Sequence, residues 1–69
     1  MAENVYKMIE IVGTSSESWE KAAATAISRA AGSLRDLRVA EVTEQDVVIE
    51  GGAVSLYRTK LKVSMKLED

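Results

Sequence analysis

A chain of 69 residues with a formal charge of −2 and neither cysteine nor histidine excludes disulfide scaffolds, thiolate or imidazole metal centres and histidine-dependent catalysis. The acidic balance argues against nucleic acid as the main partner, because phosphate binding needs a net basic face. There is room for one domain, residues 1–69, whose core supplies only about 3–5 kcal/mol of net stability, so oligomerisation is the expected support.

No apolar run approaches the ~20 residues that span a bilayer. The opening "MAENVYKMIE" lacks a basic-then-apolar signal pattern, so a soluble, cytoplasmic protein is expected. The stretch "NVYKMIEIVGTS" is rich in β-formers and is expected to stop at Gly13 as a first strand. The next segment, "TSSESWEKAAATAISRAAGSLRDL", is the one helix candidate. Thr14 followed by Glu17 fits a capping box, with Ser15 and Ser16 as rival N-caps, and the helix is expected to end near Asp36. Trp19, Ala22, Ala23, Ala26, Ile27, Ala30 and Leu34 recur at the spacing of one helical face, which places Trp19, Ile27 and Leu34 in the core. The stripe is mostly alanine, so the helix can approach a sheet closely.

"RVAEVTEQDVVIE" and "AVSLYRTKLKVSMKLE" flank Gly51-Gly52, a hairpin signal. Centring the turn there pairs Val42 with Leu61, Ala40 with Val63, Glu41 with Lys62, Thr43 with Lys60 and Gln45 with Arg58. Ala40, Val42, Leu61, Val63 and Met65 then cover the helix. Val47, Ile49, Val54 and Leu56 lie on the outer side, which one helix cannot also cover. A β-bulge would shift this count. The second strand mixes acids and aliphatics on both parities, as expected if both faces meet protein, one within the chain and one between chains. The fold class is α+β, a β-α-β-β chain with a helix-covered sheet.

The wording "VYKMIEIVGTSSESWEKAAATAISRA", "LRDLRVAEV" and "YRTKLKVSMKLED" resembles the dodecin family along nearly the whole chain. The resemblance implies a three-stranded antiparallel sheet wrapped around one helix, twelve copies forming a hollow shell, and flavins held in pockets between subunits. The flavin-stacking tryptophan of the family is replaced here by Val39, and the glutamine at the ring edge by Arg58. Gln45, opposed to Arg58 in the expected register, completes an altered flavin-type pocket. Valine offers no π face, and arginine has donors only, so it cannot accept from the flavin imide. Tight flavin binding is therefore disfavoured, and the alternative is a phosphate-directed mode through Arg58 for FMN or coenzyme A.

The "RVA-V" and "YR-KL" wording resembles the calcium dodecin subgroup, which suits a chain whose metal donors are 11 carboxylates. Glu44 and Glu17 match acidic positions that the family associates with ions on symmetry axes, and Asp46 and Glu50 are further candidates near the turn. The plainer roles are a helix-dipole acid for Glu17, a strand acid for Glu44 and a solvated hairpin end for the other two. Arg58, Lys60, Lys62 and Lys66 form a basic row, read as cross-strand and interchain pairing. Ser15, Ser16 and Ser18 have no histidine to activate them, so no enzyme is expected.

Overall fold

The computed structural model describes residues 3–67. Four elements follow in the order β1 (Tyr6–Ser15), α1 (Trp19–Ser33), β2 (Leu37–Glu50) and β3 (Ala53–Lys66). The strands form one antiparallel sheet in the order β1-β3-β2, with β3 central. Gly51 and Gly52 make the hairpin turn with φ of 60° and 79°, the left-handed pair that a two-residue turn requires. The chain measures 54 × 20 × 14 Å. Fourteen strand residues extend roughly 46 Å, whereas the fifteen of α1 cover about 22 Å. The β2–β3 hairpin therefore reaches well past its helix. Among the described residues, no helix is long and apolar enough to cross a membrane.

The helix lies on β1 and β3. Ala22, Ala26 and Ala30 are its buried residues, and Ala26 meets Leu61 and Val63, with Ile9, Ile11, Ala23, Ile27 and Leu37 packed around them. Gly13 explains why the stripe is alanine. A Cβ there would collide with the Ala22 carbonyl and come within 2.9 Å of the Ala26 Cβ, so strand and helix touch with nothing larger between them. Beside this contact, fully buried Thr59 donates its hydroxyl to the Trp19 carbonyl at 2.9 Å.

The element ends differ from those expected. β1 does not stop at Gly13, because Gly13, Thr14 and Ser15 go on pairing with Thr59, Arg58 and Tyr57. Thr14 is thus committed to the strand, and Ser18 caps the helix instead, its hydroxyl accepting from the Lys21 N–H at 3.0 Å. The helix ends at Ser33, where Leu34 turns extended and donates back to the Ala30 carbonyl at 2.8 Å. Nor is Trp19 a core residue. It is the first residue of α1, beyond the close crossing at Ala22, and is 36% exposed. Leu34 is only half-buried and stands outside the core cluster. Ala40 and Val42 lie on the helix side of the sheet as expected, but at its margin. They share a face with Val63 and Leu61, but β2 is an edge strand on the far side of β3, and Val42 is 49% exposed.

The largest correction concerns register. Glu41 faces Lys62 and Val42 faces Leu61 as expected, but Glu44, not Thr43, faces Lys60. Thr43 is the extra residue of a β-bulge, and its hydroxyl donates to the Lys60 carbonyl at 3.2 Å. From there Gln45 faces Thr59, Asp46 faces Arg58 and Val47 faces Tyr57, until a second irregularity after Val48 restores Ile49 to Val54. The bulge sorts the mixed strand. Side chains alternate along a strand, so Glu41, Glu44 and Asp46 all come to the side away from the helix, while Ala40, Val42, Gln45 and Val47 share the helix side.

Candidate ion and ligand sites

The face away from the helix carries a ladder of opposed charges. Lys60 donates from Nζ to Glu44 Oε1 at 2.9 Å. Arg58 grips Asp46 with both ends of its fork, Nε to Oδ1 at 2.7 Å and Nη2 to Oδ2 at 2.9 Å. Lys62 lies between Glu41 on β2 and Glu10 on β1. Asp46 is held a second way, since its backbone carbonyl accepts from the Trp19 indole N–H at 3.0 Å. The two pairs are unequal: Glu44 is 66% exposed with one contact to its cation, Asp46 41% exposed with two.

The hydrogen bonds from Arg58 hold the Asp46 carboxyl below its ordinary value of 3.8, with a smaller contribution from their charge attraction, and the same pairing raises Arg58. A carboxyl whose folded value lies below its unfolded one stabilises the fold above about pH 3.8, and this contribution disappears as pH falls through the lower, folded value. Asp46→Asn should therefore lower the melting temperature at pH 7, with the gap to the parent narrowing at pH 3. An equal gap at both pH values would show that the ion pair contributes nothing.

The other candidate acids stand apart from this ladder. Glu17 precedes the helix, bridges to Lys21 at 3.0 Å and donates its backbone N–H to the Ser15 hydroxyl. Glu50 accepts from the Ser55 hydroxyl at 2.8 Å at the hairpin end. Among the described residues, no three carboxylates come together as a metal-binding group. One chain thus offers hard oxygen donors of the right chemistry, but one or two at a time.

The three residues of the altered flavin-type pocket are not gathered within the chain. Val39 faces Ser64, roughly 20 Å along β3 from Arg58. It is 64% exposed and lines a hollow of about 160 Å³ with Ile27, Leu37, Arg38, Ala40 and Val63. Gln45 does not face Arg58. The bulge places it opposite Thr59, across the sheet from the guanidinium. A larger hollow of about 520 Å³ opens between β1 and the helix, lined by Thr25, Arg29 and Ser33 on one side and Ile11 and Thr14 on the other. Sequence reasoning missed it, although the four-residue spacing of Thr25, Arg29 and Ser33 was there to find. It also missed Lys60 as the partner of Glu44, because that contact exists only after the bulge.

The dodecin family model matches residues 5–68. The chain belongs to the dodecin family. It is 52% identical to the calcium dodecin of Mycobacterium tuberculosis over 64 residues, covering 93% of this chain and 90% of that protein. It is 42% identical to the dodecin of Thermus thermophilus over 65 residues, 94% of each. The solved dodecin of Streptomyces coelicolor superposes with a TM-score of 0.94 at 36% identity, covering 100% of this chain and 99% of that one. The solved M. tuberculosis protein, described as a calcium-chelating antigen with a novel calcium-binding site, superposes at 0.83 over 93% of this chain and 91% of its own.

Dodecins are non-catalytic binding and storage proteins that assemble as dodecamers. The exposed aliphatics of this dodecin fit such use. Met8, Val12, Val39, Val42, Ile49 and Val54 are each at least about half exposed on the single chain, surface that packing between subunits would cover.

Proposed function

We propose that this dodecin is a single-domain subunit of a dodecameric shell that binds calcium or another hard cation at carboxylates shared between subunits, in the cytoplasm. The carrying observation is Glu44, a carboxylate 66% exposed and held by one ammonium contact on the uncovered face of the sheet. Calcium takes six to eight oxygen ligands, and one chain does not gather them. Around a symmetry axis each carboxylate is multiplied by the number of copies, so a single exposed acid per chain is enough to begin a shell. The donor chemistry agrees, since the chain has no histidine or cysteine. So does the 52% identity to a protein named calcium dodecin. Asp46 and Glu17 are further ligand candidates, each engaged by a cation of its own chain. The cytoplasmic placement rests on the absence of cysteine and is checked by cell fractionation.

Calorimetric titration with calcium chloride tests the reading. Glu44→Gln should weaken binding by tenfold or more, since three or more ligands are lost at once around an axis. Equal binding in parent and variant would remove Glu44 from the site, and no binding in the parent would leave the shell a structural one. A second reading, storage of a flavin or coenzyme A in an altered pocket, draws on Arg58 as an anion contact and Val39 at the stacking position. The bidentate hold of Asp46 on Arg58 counts against it, because a phosphate must displace a carboxylate already in place. Yellow protein with quenched flavin fluorescence on isolation would favour this second reading.

A further inference from the structure

The ladder's two ion pairs differ in kind, and the difference assigns them different tasks. Arg58 meets Asp46 through two parallel hydrogen bonds, one to each carboxylate oxygen, and the indole of Trp19 fixes the backbone of the same aspartate. A planar fork loses little freedom per bond and is not easily displaced. Lys60 reaches Glu44 by a single contact at the end of a flexible stem, and an ammonium is readily rehydrated when it leaves. Its place is nevertheless fixed by the backbone. The bulge at Thr43, tied by its hydroxyl to the Lys60 carbonyl, is what puts Lys60 opposite Glu44.

Resting on the calcium reading above, we infer that Lys60 is the resident counter-ion that an incoming divalent cation displaces from Glu44, while Arg58 keeps Asp46 out of the ion's shell. Binding is then an exchange of cations. Carboxylates gathered from several chains repel one another in the absence of the ion, and the Lys60 ammonium groups neutralise them until it arrives. The exchange lowers ion affinity and lets the shell persist without its ion.

Calcium chloride titration of the assembled protein at fixed ionic strength tests this. An exposed pair weakens a competitor by about two- to threefold, and three chains around one ion multiply that to about tenfold. Lys60→Met should thus bind calcium about tenfold more tightly than the parent. Lys62→Met removes the same charge from the same face without touching Glu44, and should change affinity less than twofold. The double variant Asp46→Asn with Arg58→Gln, which removes the clamp at constant net charge, should stay within threefold of the parent. Unchanged or weaker binding in Lys60→Met, beside a parent that binds, would overturn the exchange and leave the calcium reading standing. A gain in Lys62→Met equal to that in Lys60→Met would reduce it to general charge. No binding in parent or Lys60→Met would remove both readings together. A tenfold loss in the double variant would put Asp46 back among the ligands.

Discussion

Gly13→Ala should destabilise this protein by about 3 kcal/mol or more, while the same substitution at Gly32 should stabilise it by about 0.5 kcal/mol. A methyl on Gly13 meets the carbonyl of Ala22 and the Cβ of Ala26. The first obstacle is helix backbone, so no rotamer change relieves it and α1 must lift away from β1. Lifting separates Ala26 from Leu61 and Val63, the cluster at the centre of the buried core. The loss is comparable to all that a core of this size supplies, roughly 3–5 kcal/mol. Gly32 lies in the last turn of α1 with nothing within 4 Å of its missing Cβ, so alanine there only reduces the freedom of the unfolded chain. Urea denaturation of both variants measures the contrast. A Gly13→Ala protein within 1 kcal/mol of the parent would mean that helix and strand are not in contact there. If Gly13→Ala yields no folded protein, the gain at Gly32 still tests the other half.

The order of elements and the glycine turn were legible because each depends on neighbours in sequence: β-formers ending near a glycine, an alanine stripe at helical spacing, two glycines between β-rich runs. The pairing of Glu41 with Lys62 was legible as well, since it follows from counting outward from the turn. The count fails at Thr43, one residue after Val42. Nothing local distinguishes Thr43 from any other strand threonine. The partner its hydroxyl finds at the bulge is the carbonyl of Lys60, seventeen residues away. The site depended on that residue. With the regular register Lys60 meets a threonine and Arg58 a glutamine, and only the Lys62 rung remains. With the bulge both meet carboxylates. The capping box failed for a similar reason: Thr14 and Glu17 have the right spacing, but pairing with β3 keeps Thr14 in the strand, and the cap passes to Ser18.

Trp19→Ala should cost about 3 kcal/mol, and Trp19→Phe about 1 kcal/mol. Helical periodicity put Trp19 in the core, yet its ring instead joins the start of α1 to the part of the sheet that the helix leaves uncovered. The ring stands edge-on to Tyr57, centroids 5.0 Å apart and planes at 75°, a geometry worth about 0.5–1.5 kcal/mol beyond simple burial. Its N–H reaches the Asp46 carbonyl on β2. Its own carbonyl receives the Thr59 hydroxyl, a contact that any side chain at this position leaves intact. Alanine therefore removes the ring and the N–H together but not the third tie, and the 36% exposure of the residue keeps the loss near the lower end for a large aromatic. Phenylalanine keeps the edge-on contact with Tyr57 and loses only the donor. Urea melts followed by far-ultraviolet circular dichroism, which needs no tryptophan, should rank parent, Phe and Ala in that order. A Phe variant as unstable as Ala would place the whole effect in the hydrogen bond to Asp46. β2 would then be held to the start of the helix chiefly by that bond.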